Sequence, residues 1–192
     1  MAINPQTKMT PAEYLAFERA QTDAKHEYLN GEITAMSGAS LVHNIIVTNL
    51  VISLGTQMRG RPCNVFSSDM RVKVPATGLY TYPDIAALCG APELEDDAVD
   101  TLLNPSVIIE VLSPSTEAYD RGAKFAHYQT IASLHEYVLV AQDQPRIEIF
   151  RRQEHGDWLY SVAETPEATV RLEVINCELT LADVYEGVET LR

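Results

Sequence analysis

The chain has 192 residues, 46% of them hydrophobic and 21% charged, a balance that suits one globular domain with an ample core over residues 1–192. Its formal net charge of −13 argues against broad, non-specific binding to nucleic acid, because that binding depends on Lys and Arg side chains. No apolar run approaches the roughly 20 residues of a membrane span and no leader-like segment opens the chain, so we expect a cytoplasmic protein with no membrane partner.

The first predicted element is a capped helix. Thr10 can serve as its N-cap, Pro11 suits the first helical position, and Glu13 completes a capping box. The sequence therefore predicts a short helix from Thr10 to about Arg19.

A β-hairpin is predicted next, from His26 to Met36. At its centre is Asn30-Gly31, a pair that tolerates the positive φ angles of a two-residue turn. This interpretation places Glu27 on a strand or just before one, although a glutamate before a hairpin turn is as often simply solvated.

The segment from Leu41 to about Met58 is apolar nearly all round, which is typical of a helix that packs against a sheet with little exposed face. Ser40 is its predicted N-cap. His43, near its start, could contact a substrate phosphate or a site carboxylate, although a histidine on an apolar helix is more often a hydrogen-bonded structural residue.

Strands and helices alternate along the rest of the chain, which predicts a mixed α/β sandwich. Three strands rich in β-branched and aromatic residues are expected to form the core sheet, namely Val65–Val74, Tyr82–Cys89 and Val107–Leu112. Helices are predicted from Asp120 to about Ala132 and near Leu181. Between them, turn signals separate three further strands, namely Tyr137–Ala141, Arg146–Arg151 and Trp158–Ala163.

Two compositional features bear on the setting of the protein. The acidic block Glu93–Asp100 is expected to be a solvated loop, so its charge does not exclude a basic site elsewhere. The three cysteines, Cys63, Cys89 and Cys177, are widely spaced, which matches neither a disulfide framework nor a zinc site. We expect them to be small buried hydrophobic residues.

Two acidic residues, Asp84 and Glu110, lie on apolar, strand-like segments. The apolar neighbours at 85–88 and 107–109 favour burial of both carboxylates over an exposed turn or strand end. An ionised carboxylate in apolar surroundings is unfavourable unless its pKa shifts or a cation pairs with it. Mg²⁺ is usually held by one or two protein carboxylates, so the pattern predicts a divalent-cation site.

Lys124 is the candidate cationic residue of that site. In the predicted helix, Asp120, Lys124 and Tyr128 are spaced by four and share a face, which would bring Lys124 toward Glu110. The ammonium would stabilise developing negative charge or help orient the attacking water. The alternative is an exposed ion pair between Asp120 and Lys124 that contributes roughly 0.3 to 0.5 kcal/mol, and Tyr128 is most simply a core aromatic.

The order of these residues resembles the Uma2 family, a former domain of unknown function that is placed among candidate restriction endonucleases of the PD-(D/E)XK nuclease superfamily. The resemblance spans about residues 9–185. The positions that carry it are Glu27 before Asn30-Gly31, His43, Tyr82-Pro83-Asp84, the run from Glu110 to Thr116, Asp120, Lys124, Tyr128 and Glu136-Tyr137.

The resemblance implies an α/β fold with a restriction-endonuclease-like core, in which helices flank a central mixed β-sheet, and an additional antiparallel β-hairpin region. It also implies that Asp84 and Glu110 bind Mg²⁺, for which Mn²⁺ can substitute, and that Glu27 adds a carboxylate. The superfamily pattern expects a lysine at the second position after Glu110, where this chain has Leu112. Lys124 would then be a lysine relocated to the following helix.

Three functions are compatible with the sequence. The first, which we favour, is a Mg²⁺-dependent endonuclease that hydrolyses DNA as a homodimer, with His43, Asp120 and Tyr128 supporting the site. The second is a nuclease-fold module that binds nucleic acid or protein without catalysis, as Leu112 and the acidic charge would allow. The third is a non-enzymatic interaction dimer, which the apolar helix and the many tyrosines would allow.

Overall fold

The computed structural model describes residues 8–188, and the ends of the predicted domain, residues 1–7 and 189–192, lie outside the described residues. The helices are α1 (Pro11–Ala20), α2 (Leu41–Met58), α3 (Glu117–Tyr119), α4 (Phe125–Tyr128) and α5 (Leu181–Val184). A π-helical turn, Asp120–Lys124, joins α3 to α4. The strands are β1 (His26–Leu29), β2 (Glu32–Ala35), β3 (Cys63–Ser67), β4 (Arg71–Val74), β5 (Leu79–Thr81), β6 (Ile85–Cys89), β7 (Thr101–Leu102), β8 (Val107–Val111), β9 (Glu136–Val140), β10 (Ile147–Arg152), β11 (Trp158–Ala163), β12 (Thr169–Leu172) and β13 (Cys177–Thr180).

A six-stranded mixed sheet, of order β11-β10-β9-β8-β6-β3, lies at the centre of the molecule. β8 and β9 run parallel, and the other neighbouring strands run antiparallel. Because side chains alternate along a strand, Ile109 of β8 packs toward α2 while Ile108 packs toward α4. Helices therefore flank both faces of the sheet, and the predicted mixed α/β architecture is confirmed.

The capping box predicted for α1 is confirmed. The Glu13 backbone N–H donates to Thr10 Oγ1 at 3.3 Å, and the Thr10 N–H donates to Glu13 Oε2 at 2.8 Å. Pro11 occupies the first helical position, where no intrahelical N–H bond is lost.

The hairpin predicted around Asn30-Gly31 is also confirmed. β1 and β2 enclose a two-residue turn in which Asn30 has a φ of 52° and Gly31 a φ of 91°. Tyr28 of β1 then pairs with Tyr80 of β5, so that the hairpin joins a five-stranded sheet of order β2-β1-β5-β4-β7. This sheet brings Glu27 to within 3.5 Å of the Lys124 ammonium.

α2 spans the predicted residues and buries one stripe, which comprises Ile46, Leu50, Leu54 and Met58. The expectation that little of the helix is exposed is wrong, because the central sheet, β13 and α5 cover one side and leave Leu41 64% and Ile52 61% exposed. Among the described residues, α2 is the one helix long and apolar enough to cross a membrane, a test that the core helix of a soluble protein also passes.

The predicted strand Val65–Val74 is in fact two strands, β3 and β4, which belong to different sheets. They are separated by a turn in which the Met70 N–H donates to the Ser67 carbonyl at 3.0 Å. The polar pair Ser68-Asp69 inside this turn interrupts the apolar pattern, as turn residues do. The apolar pattern also did not indicate β5, β7, β12 and β13.

The helix predicted for Asp120–Ala132 begins earlier, at Glu117, and ends at Tyr128. Its start is set by the turn before it, where the Glu117 N–H donates to the Ser113 carbonyl at 2.9 Å. The π-helical turn at its centre has no signal in the sequence, because the four-residue spacing of Asp120, Lys124 and Tyr128 also fits a regular α-helix.

The prediction that all three cysteines are small buried hydrophobic residues is wrong for Cys63 and Cys89. β3 and β6 place Cys63 directly opposite Cys89, and the structure joins the two in a disulfide. The spacing of the cysteines along the chain does not predict this disulfide, because the register between β3 and β6 brings the two residues together. Cys177 is free and buried, as expected.

The acidic block does not form a freely solvated loop. Arg19 of α1 donates hydrogen bonds of 2.8 to 2.9 Å to Asp96 and Asp100. Glu95 is paired with Lys73 of β4. These contacts tie the loop between β6 and β7 to α1 and to the five-stranded sheet.

We expect Gly31→Ala to destabilise the protein by about 1 to 2 kcal/mol, because the residue has a positive φ that disfavours a side chain. The added Cβ would also lie 2.5 Å from Lys8 Cβ. Urea unfolding measures the effect. Gly38→Ala is the matched control, since Gly38 has no atom within 4 Å of the added Cβ; equal stability of the two variants would contradict the prediction.

Candidate active site

Asp84 and Glu110 are brought side by side by the pairing of β6 with β8. Ile85 lies opposite Ile109 in this antiparallel pair, so Asp84, just before β6, is adjacent to Glu110. The Asp84 N–H donates to Glu110 Oε2 at 3.3 Å. Glu110 is only 3% exposed, the burial that its apolar neighbours predict.

The Asp84 carboxylate is held by groups from two further elements. Its Oδ2 accepts a hydrogen bond from the Val111 N–H of β8 at 2.8 Å. The same oxygen lies 3.1 Å from Nε2 of His43, in the first turn of α2. The orientation of Asp84 therefore depends on both β8 and α2.

Lys124 lies among carboxylates. Its Nζ is 2.9 Å from Glu110 Oε1 and 3.5 Å from both Glu27 Oε1 and Asp120 Oδ1. The Tyr128 hydroxyl donates to the same Glu110 Oε1 at 2.9 Å. The alternative of an exposed Asp120–Lys124 ion pair does not hold, because Asp120 and Lys124 are 3% and 5% exposed.

The π-helical turn directs Asp120 and Lys124 inward. Both side chains are buried, and the Tyr137 hydroxyl of β9 donates to the Asp120 carbonyl at 2.9 Å, which anchors the turn on the sheet. Turns of this kind are rare, and they are frequent at functional sites.

The site holds more carboxyl groups than one ammonium can neutralise. Burial by itself lowers the pKa of Lys124, but the charges of Glu110, Glu27 and Asp120 outweigh burial and hold that pKa well above its usual value. Burial raises the pKa of Glu110, and Lys124 offsets this only in part. Burial likewise raises the pKa of Asp120. Lys124 is therefore an ammonium, and a further cation nearby would lower both carboxyl pKa values.

The donor chemistry of Asp84 and Glu110 fits Mg²⁺. Within residues 8–188, no three His, Cys, Asp or Glu side chains are arranged to hold a metal ion by themselves. Mg²⁺ does not need such a cage, because it keeps several waters and takes one or two carboxylates together with substrate phosphate oxygens. The raised pKa values of Glu110 and Asp120 are the feature of this structure that such a cation would reverse, because it favours the ionised carboxylates.

Glu27, expected to add a ligand, is engaged with the lysine. Besides Lys124, Glu27 Oε1 accepts a hydrogen bond from the Thr81 hydroxyl. Burial and, after it, the charge of Glu27 raise the pKa of Tyr119 to about 12. The Tyr119 ring also lies beneath the ammonium, with its centroid 5.9 Å from Nζ. Sequence reasoning missed both hydroxyl residues, because no spacing rule connects them to Glu27 before the sheets are assembled.

An open cleft of about 1420 Å³ leads to these residues. Its walls are the β1–β2 hairpin, the first turn of α2 and the loop Ser113–Thr116. Eight acidic side chains but only three lysines, Lys8, Lys25 and Lys124, line it among the described residues. The cleft is therefore strongly acidic, as the net charge of the chain suggests.

A second ion-pair cluster fixes the helical segment that carries Lys124. Arg121 donates two hydrogen bonds of 2.8 Å to Glu148 of β10, and Arg146 donates a third at 2.9 Å. Although burial raises the pKa of Glu148, the bonds from Arg121 and Arg146 outweigh burial and lower that pKa to about 2. The Lys124 segment is thus bound to the sheet by a bidentate charged contact.

Comparison with known proteins gives consistent matches over nearly the whole chain. The family model Uma2, described as "Putative restriction endonuclease", matches residues 11–183. Two "Uncharacterized" proteins of Synechocystis sp. strain PCC 6803 are similar. The protein slr1290 is 36% identical, over 95% of this chain and 94% of its own length. The protein sll1609 is 37% identical, over 83% of this chain and 90% of its own length.

The fold is also found among solved structures. A crystal structure from Anabaena variabilis ATCC 29413, described as "a putative nuclease belonging to DUF820", superposes with a TM-score of 0.76. The match covers 94% of this chain and 99% of that chain at 19% sequence identity. The architecture built around the central sheet is therefore shared with that protein.

We expect Lys124→Met to lower the free energy of unfolding by about 3 kcal/mol or more, because it leaves the surrounding carboxylates without their buried cation. Chemical denaturation of the metal-free protein measures the loss. Arg59→Met removes an exposed positive charge and is the control, with an expected change within about 0.5 kcal/mol. A Lys124→Met variant as stable as the wild type would contradict the electrostatic description of the site.

The Glu148 cluster predicts a specific acid sensitivity. Because the folded-state pKa of Glu148, about 2, lies below its ordinary value of 4.5, its ion pairs stabilise the fold above pH 4.5 and this contribution is lost as the pH falls toward 2. We expect the unfolding free energy of Glu148→Gln to fall less steeply than that of the wild type across this window, by up to about 3 kcal/mol. Urea unfolding at several pH values measures this difference. If the unfolding free energies of the wild type and of Glu148→Gln fall equally with pH, the assignment is refuted.

Proposed function

The chain belongs to the Uma2 family, as its sequence predicts, and on that basis we propose that it is a Mg²⁺-dependent endonuclease that hydrolyses DNA phosphodiester bonds. The observation that carries the proposal is the convergence of Asp84 and Glu110 with the Lys124 ammonium at the base of one cleft. A hydrolytic nuclease needs oxygen ligands for a cation and a positive group beside the reacting phosphate.

Each residue has a distinct role in the proposed reaction. Asp84 and Glu110 would hold Mg²⁺, which when bound supplies a Lewis acid and lowers the pKa of water. Lys124 would donate hydrogen bonds to the negative charge that develops on the phosphoryl oxygens. The surrounding carboxylates hold its pKa well above its usual value, so it acts as a cation and not as a base.

The charge of the cleft restricts how DNA can be bound. Eight acidic residues face three lysines, of which Lys124 and Lys25 are already paired with Glu110 and Asp69. Such walls cannot bind a long duplex through many phosphate contacts, which is the mode that ordinary salt-dependent DNA binding requires. Binding would depend instead on the cation and on the few phosphates that enter the cleft.

The alternative of a binding module without catalysis has one observation in its favour. Lys124 is tightly engaged with Glu110 at 2.9 Å, and a salt bridge of this kind can also serve structure alone. The two functions differ in turnover, since a binding module retains no metal-dependent cleavage.

A homodimer and a cytoplasmic location are further proposals. In the cytoplasm, where thiols are kept reduced, Cys63 and Cys89 would face each other as free thiols.

We expect the purified full chain to cleave single- or double-stranded DNA when Mg²⁺ or Mn²⁺ is present, and not in EDTA. Asp84→Asn and Glu110→Gln, which retain side-chain shape but lose charge, should reduce the cleavage rate by at least about 100-fold. Gel-based assays with fluorescent oligonucleotides measure the rate.

Asp143→Asn is the matched control, because Asp143 is an exposed aspartate in the turn between β9 and β10. It should cleave at the wild-type rate. Cleavage that persists in EDTA or survives Asp84→Asn would refute the proposal, and DNA binding without any turnover would establish the binding module instead.

A further inference from the structure

His43 has a fixed position at the start of α2. Its backbone N–H donates to the N-cap oxygen, Ser40 Oγ, at 3.0 Å. Ser40 also donates to Gln142 Oε1 at 2.7 Å, and Gln142 Nε2 donates to the Leu112 carbonyl at 2.7 Å. The first turn of α2 is thus bound to the chain directly after β8, the strand that carries Glu110.

The His43 ring makes one polar contact, and that contact is with the site. Nε2 lies 3.1 Å from Asp84 Oδ2, whereas Nδ1 is buried without a hydrogen-bond partner among residues 8–188. Because an ionised carboxylate only accepts hydrogen bonds, Nε2 must be the nitrogen that carries the hydrogen in this contact. The contact is partly shielded from water, since the two side chains are 14% and 16% exposed.

The hydrogen bonds that the Asp84 carboxylate accepts all fall on one of its two oxygens. Oδ2 is occupied by donors from Val111 and His43, while no group within residues 8–188 donates to Oδ1. A carboxylate fixed through one oxygen presents the other in a defined direction. In metal sites, hydrogen bonds of this kind orient the ligands and affect affinity strongly.

We propose that His43 is a positioning residue that holds Asp84 so that Oδ1 is presented to a divalent cation. The inference rests on the proposed function, since it concerns the same cation site. His43 acts through Asp84 and is not a ligand itself. The bond from the Val111 N–H restrains the carboxylate, and the second donor, from α2, restrains it further by holding the same oxygen from another direction.

A purely structural role for His43 predicts something different. If the ring served only to pack the start of α2, its replacement would lower the melting temperature without changing cation affinity in the folded protein. A side chain that restores the donor would then have no special effect. The two roles can therefore be separated by measuring cation binding and stability on the same variants.

The experiment measures the dissociation constant of Mn²⁺ from the full chain, using the electron paramagnetic resonance signal of the free ion. Circular dichroism checks that each variant is folded. We expect His43→Ala to raise the Mn²⁺ dissociation constant by about 10-fold or more. His43→Gln places an amide N–H near the position of Nε2 and should lie within about 3-fold of the wild type. His43→Asn, whose amide is too short, should bind as weakly as His43→Ala, and the exposed His155→Ala should bind like the wild type.

A measurement on the metal-free protein adds a second readout. Long-range ¹H–¹⁵N NMR correlations should show a hydrogen on Nε2 of His43, and a ring protonated on Nδ1 alone would overturn the inference. Undiminished Mn²⁺ affinity in folded His43→Ala, or equal affinities of His43→Gln and His43→Ala, would also overturn it while leaving the endonuclease proposal in place. Absence of Mn²⁺ binding and of cleavage in the wild type would overturn both.

Discussion

A single buried ammonium among more carboxylates than it can neutralise is the constraint on which this site depends. Lys124 is 2.9 Å from Glu110 and 3.5 Å from Glu27 and Asp120, and the four side chains are largely shielded from water. Burying unpaired carboxylates is unfavourable, and the raised pKa values of Glu110 and Asp120 express that imbalance. A second positive group would favour ionisation of these carboxyl groups, which is the physical basis proposed for cation binding.

The site exists only when several distant segments are assembled. Glu110 comes from a central strand, Asp84 from the neighbouring strand start, Lys124 from a helical segment on one face of the sheet, and His43 from a helix on the other. Glu27 arrives on a separate hairpin sheet. Each of these side chains is held by groups from another element, so the geometry of the site depends on the packing of both sheets.

Sequence reasoning could identify the residues that combine chemistry with an apolar context. Asp84 and Glu110 stand out because acidic residues are rare on buried strands, and Lys124 follows them on the next helix. The Thr81 hydroxyl, the backbone donor of Val111 and the Cys63–Cys89 pair carry no such signal, because strand register alone creates their contacts. Tyr119 carries none either, because it meets Lys124 only through the packing of the helical segment. The splitting of Val65–Val74 was missed because the turn between β3 and β4 is only three residues long and contains no glycine or proline to mark it.

The π-helical turn has a consequence for comparing this chain with its relatives. A turn closed by i→i+5 bonds accommodates one residue more than a regular α-helical turn over the same stretch of axis. In a relative whose helix is regular here, an amine at the same place in space would belong to a residue one alignment column away from Lys124. Superposition of coordinates, rather than counting residues from the strand glutamate, is the sound way to recognise that amine across the family.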